Sequence, residues 1–132
     1  MNKERVLALA ELIESQPLVD TWCSGEVHGF NMNREAHICG TPSCILGWAA
    51  WEQRGRPDRV EKNTDRLYTD AQEYLGLDDG SIGRLCYPDE VIYGEVTPAM
   101  AGETLRKLAE TGEVDWSHAP QYVESADDSF DE

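Results

Sequence analysis

A chain of 132 residues is one domain's worth, with room for one modest core. Its 26 Asp and Glu against 11 Lys and Arg leave a formal net charge of −15. That excludes a general nucleic-acid binder, because nothing offsets phosphate repulsion, and it disfavours an anionic membrane surface. Hydrophobic residues make up 40%, yet no apolar run approaches the ~18 residues of a membrane-spanning helix, so the composition describes a folding chain that stays out of the bilayer.

The opening Met1-Asn2-Lys3-Glu4-Arg5 is followed by Glu11 and Glu14 instead of an apolar segment, so it does not read as a signal peptide. The expected compartment is a reducing cytoplasm, where Cys23, Cys39, Cys44 and Cys86 are thiols or metal ligands in preference to disulfides. Val6, Leu9, Ala10 and Ile13 make one apolar stripe and predict a helix from about Asn2 to Ser15, ended by Pro17. Residues 18–40 lack a sustained period and read as a long loop, kept ordered by Trp22, Phe30 and Met32. Thr41 as N-cap and Pro42 at the first helical position predict a second helix. It is nearly apolar from Cys44 to Trp51, hence central, and stops at Gly55.

A third helix is expected over about Asp65 to Leu75, with Gly76 at its end. Asp78, Asp79 and Gly80 superficially suggest a calcium loop, but the alternating ligand series is missing, and they read as a turn before a short helical turn from Ile82 to Cys86. Val91-Ile92-Tyr93 is the one strand-like run. Thr97-Pro98 starts a last helix that ends at Gly112, and Trp116 is expected to fold back onto the body. The predicted fold is therefore mostly α: a compact single-domain bundle of four helices plus a short helical turn. Residues 1–116 form the domain and 117–132 a flexible acidic tail. From Glu113 to Glu132 there are seven acids and no Lys or Arg; −7 of the −15 lies there, leaving −8 for the first 112 residues.

Five of the seven Cys and His residues lie between positions 23 and 44. Cys23, His37, Cys39 and Cys44 offer a ligand set for structural zinc, with His37-x-Cys39 and Cys39-x4-Cys44 as the close pairs; the competing reading is that Cys39 and Cys44 are small core thiols. As a catalytic residue, Cys44 at the third helical position would gain thiolate character from the helix dipole, with His118 as base in the chain order of papain-like enzymes. As an anion or nucleotide site, Gly40, Thr41 and Ser43 precede a helix N-terminus and Trp48 offers a stacking surface; a plain N-cap explains the same residues. Arg54, Arg56 and Arg59 read as a solvated helix end that pairs with nearby acids.

The run Cys39-Gly40-Thr41-Pro42-Ser43-Cys44-Ile45-Leu46-Gly47-Trp48-Ala49 stands out, together with Phe30-Asn31-Met32, Tyr74-Leu75-Gly76-Leu77, Leu85-Cys86-Tyr87-Pro88 and Thr111-Gly112-Glu113-Val114-Asp115-Trp116. In these the chain resembles a diffuse group of uncharacterised small phage and actinobacterial-type proteins with a Cys-Gly-Thr-x-x-Cys-Ile-x-Gly-x-Ala motif. Cys23, His28 and His37 are not part of that pattern. The resemblance implies an origin and a compact helical fold, not a reaction. The resulting expectation is a non-enzymatic accessory protein that needs no cofactor. It binds a host protein with a basic surface, and so inhibits a nucleic-acid-handling or defence system. A nucleotide sponge and a Cys44-dependent hydrolase or transferase are the alternatives.

Overall fold

The computed structural model describes residues 1–19, 29–34, 36, 41–60 and 63–121. Among them the chain forms five α-helices and one 3-10 turn, and its β-pairing is limited to isolated bridges. The mostly helical expectation holds.

Helix α1, Lys3–Glu14, starts where Asn2 Oδ1 accepts the Arg5 amide at 3.1 Å. Its stripe Val6, Leu9, Ala10 and Ile13 is completely buried, as the spacing predicts. Helix α2, Ile45–Gln53, starts later than the Thr41-Pro42 signal predicts. Tertiary pairing accounts for the difference. Pro42 bridges Ala36, the Asn31 amide donates to Ser43 O at 3.0 Å, and Ser43 Oγ donates to Asn31 O at 2.8 Å. Residues 42–43 are thus extended, and Cys44 takes the N-cap position without a side-chain cap. The helix is buried from Ile45 to Ala50 and so occupies the central place its apolar sequence predicts.

Helix α3, Thr64–Leu75, is capped by Asn63, whose Oδ1 accepts the Arg66 amide at 3.2 Å. It ends at Gly76 with φ +68°, a left-handed conformation that suits glycine. A Cβ there would also meet the Asn2 nitrogen at 3.0 Å, because the Asn2 amide donates to Leu75 O at 2.8 Å. Helix α4, Asp79–Cys86, is longer than the helical turn predicted over 82–86. Asp78 is its cap, accepting the Ser81 amide at 2.7 Å, so the acidic run resembling a calcium loop is a helix start. Ile82, Leu85 and Cys86 face inward as expected.

The strand-like run contributes one bridge, Val91 with Gln121, before the 3-10 turn Tyr93–Glu95. Helix α5, Pro98–Thr111, has the Thr97 cap, the proline at its first turn and the left-handed Gly112 that its sequence announces. Helix α1 packs against α5, α2 against α3, and α4 against α2. Trp116 folds back with 2% exposure and donates from Nε1 to Arg84 O at 3.0 Å. The packed chain continues to Gln121: Ala119 is buried and the Ile92 amide donates to Pro120 O at 2.9 Å. Before the second helix, Leu18 bridges Phe30 and the Phe30 amide donates to Pro17 O at 2.8 Å. Most of the loop predicted over 18–40, and the end of the acidic tail, lie outside the described residues. Among the described residues, no helix is long and apolar enough to cross a membrane.

Candidate functional site

The zinc reading rests on Cys23, His37 and Cys39 together with Cys44; the first three, like His28 and Gly40, lie outside the described residues. Among the described residues no group of three or more His, Cys, Asp or Glu is placed to hold a metal ion.

Cys44 lies at the start of α2 with 2% exposure, and Cys86 in α4 with 1%. Both influence Tyr93. Burial first, then the nearby Asp89, Cys44 and Cys86, push its hydroxyl above the ordinary phenol value. His118 is anchored elsewhere. Its Nε2 lies 3.0 Å from Met100 O and 3.0 Å from Thr104 Oγ1, both on α5, and its ring stacks on Trp116 at 6.2 Å. A carbonyl oxygen only accepts, so this geometry makes Nε2 the donor to Met100 O. Nδ1 is buried with no hydrogen-bond partner among the described residues, and the hydrogen bonds of His118 are to α5.

The segment proposed for an anion is also interior. Thr41 is half-buried, and Pro42 to Ala50 are buried throughout. The Ser43 hydroxyl is occupied by Asn31 O, and Trp48 packs edge-on against Trp51 with ring centroids 5.2 Å apart. The N-terminal turn of α2 is a core element, its amides covered by protein.

The open concavities lie elsewhere. One cleft, of about 430 Å³, sits where the C-terminal end of α2 meets α3 and the connection between them. Ala50, Val60 and Leu67 make its apolar floor, Trp51 and Pro57 a wall, and Arg54, Arg59 and Asp70 its polar rim. Asp70 is buried on α3 and accepts from Arg54 Nε at 2.6 Å. Arg54 and Arg56 thus pair with acids, Asp70 and Glu52, while Arg54 and Arg59 also line a cleft. The legible signal was Trp51-x-x-Arg54, a spacing that puts both side chains on one face of a helix. The carboxylate that completes the rim comes from another helix and is invisible in local sequence.

The second concavity, about 420 Å³, runs along α4. The exposed carboxylates of Asp79, Asp89 and Glu90 line it beside Tyr87 and Trp116, with Arg84 as its one cation among the described residues. Tyr87 is held from behind by Tyr68, the two rings stacked 6.4 Å apart. Such a groove offers negative charge and aromatic surface together. Comparisons of the chain with family models, with curated proteins and with solved structures return no match.

Proposed function

We propose that this chain is a non-enzymatic accessory protein that works by binding a protein with a basic surface, of the kind found where a host's nucleic-acid-handling or defence machinery grips a phosphate backbone. The observation that carries the reading is the α4 groove. A Lys or Arg side chain entering it meets three carboxylates for ion pairing, and the half-buried Tyr87 ring for packing against its stem or head. The net charge of −15 adds long-range attraction that brings a basic partner in faster and in the right orientation. The interior placement of Cys44 and of His118 Nδ1 supports binding over covalent catalysis. The resemblance of residues 39–49 to phage and actinobacterial-type proteins supports a phage origin.

Retention of a Lys/Arg-rich probe protein on the immobilised chain tests the reading. Raising salt from ~0.1 M to ~1 M cuts the Debye length from about 10 Å to about 3 Å. Binding is expected to fall at least tenfold over that range; binding that ignores salt would falsify electrostatic capture. A second reading, capture of a small molecule, is favoured by the cleft beside Trp51.

A further inference from the structure

We propose that the cleft between the end of α2 and α3 is a binding site for a small planar aromatic anion. This site is separate from the α4 groove and independent of the partner-binding reading. Three observations carry it.

The first is the shape. A volume of about 430 Å³ is within the range of small-molecule clefts, roughly 300–1,000 Å³, which are characteristically apolar with a few fixed polar groups. Here the floor is Ala50, Val60 and Leu67, each at most 5% exposed.

The second is a wall fixed in advance. Trp51 donates from Nε1 to Pro57 O at 3.0 Å, and its ring meets Trp48 at 86°. Arg56 lies over Trp51, 5.0 Å from the ring centroid, and is itself held by Glu52 Oε2 at 2.7 Å. Three contacts therefore lock the indole before any ligand arrives, which lowers the ordering cost of packing a flat ring against the part of it that lines the cleft.

The third is local charge. Arg54 is neutralised by Asp70 at 2.6 Å. Arg59 lines the same cleft and makes no ion pair among the described residues. Of the charged residues that line the cleft, Arg54, Arg59 and Asp70, one guanidinium is thus left over to meet an anion. An Arg fork binds a carboxylate or a phosphate in the same planar geometry, so both sources fit the chemistry.

Isothermal titration calorimetry of the full chain tests this with 2-naphthoate as the carboxylate probe, AMP as the phosphate probe and 2-naphthamide as the uncharged control. Saturable binding of at least one anion is expected, with the amide at least tenfold weaker. In Arg59→Gln, an exposed substitution that leaves the core intact, anion affinity is expected to fall at least tenfold. In Arg106→Gln, away from the cleft, it is expected to be unchanged. No saturable binding of either anion at millimolar concentration overturns the proposal. So does equal binding of amide and acid, or an affinity indifferent to Arg59→Gln. Binding of 2-naphthoate alone or of AMP alone supports the site and names the source of the negative charge.

Discussion

Glu14 lies across α5 and pairs with Arg106 through Nε at 2.9 Å and a terminal nitrogen at 2.6 Å. The carboxylate reaches that position over Gly102, where any Cβ would overlap the Glu14 side chain. Gly102 is therefore what lets one ion pair bridge the two helices. The hydrogen bond from Arg106 holds the Glu14 carboxyl below its ordinary value of 4.5. Asp78 and Asp115 are lowered too, by hydrogen bonds from Ser81 and Ser117. A carboxylate whose folded value is depressed stabilises the fold above its unfolded value, and loses that contribution as pH falls through the folded one. Thermal melts are thus expected to show stability declining as pH drops below about 4, with a smaller decline in Glu14→Gln. In Gly102→Ala the gain of roughly 1 kcal/mol in helix propensity opposes the lost pair. The net stability change is expected to stay within about 1 kcal/mol. The coupling between Glu14 and Arg106, measured by a double-mutant cycle, should vanish on the Gly102→Ala background; a coupling that survives contradicts the packing described.

Cys44 and Cys86 belong to the same scale. Buried thiols react slowly because the reagent must wait for an opening of the fold. Site-resolved mass spectrometry of maleimide labelling is expected to find both protected in the native protein and both labelled in denaturant. Rapid native labelling of Cys44 would revive a catalytic role for it.

At the scale of elements, what was readable followed the agreement of several local signals. Helix α5 carries an N-cap, a proline, an apolar stripe and a C-terminal glycine, and its observed span matches the expected one. Thr97 Oγ1 accepts the Met100 amide at 3.1 Å. Thr97→Ala is expected to cost about 1 kcal/mol, read as a shift of the denaturation midpoint at constant slope. Helix α2 carries an equally good local start at Thr41-Pro42, and there the signal misled. Ser43 and Asn31 exchange hydrogen bonds across 12 positions of sequence, and that pairing overrides the local preference. Ser43→Ala is expected to destabilise the fold by about 1–3 kcal/mol, because it strands a buried carbonyl. Helix α4 is longer than its sequence predicts because Asp78-Asp79-Gly80 suits a turn as well as a capped helix. The candidate site was less legible than the fold. Cysteines, histidines and a helix start drew attention to residues 23–44, whereas the clefts are assembled from side chains that meet only through packing, such as Arg54 with Asp70 and Tyr87 with Trp116.

At the scale of the molecule, the charge of −15 is distributed unevenly. Part lies in the segment after Gly112, part on exposed carboxylates of the helices, while Arg54, Arg56 and Arg59 gather at one end of α2. The α4 groove and the Trp51 cleft thus differ in sign as well as position, and a partner and a small anion would address different faces. Capture of a basic partner at the α4 groove is tested most directly by comparing two variants that remove equal charge. Asp89→Asn/Glu90→Gln changes the groove; Glu4→Gln/Glu11→Gln changes the exposed face of α1. Affinity for the Lys/Arg-rich probe is expected to fall at least tenfold more in the groove variant than in the α1 variant. Equal losses in the two would mean that net charge alone attracts the partner, and would contradict a specific site on α4.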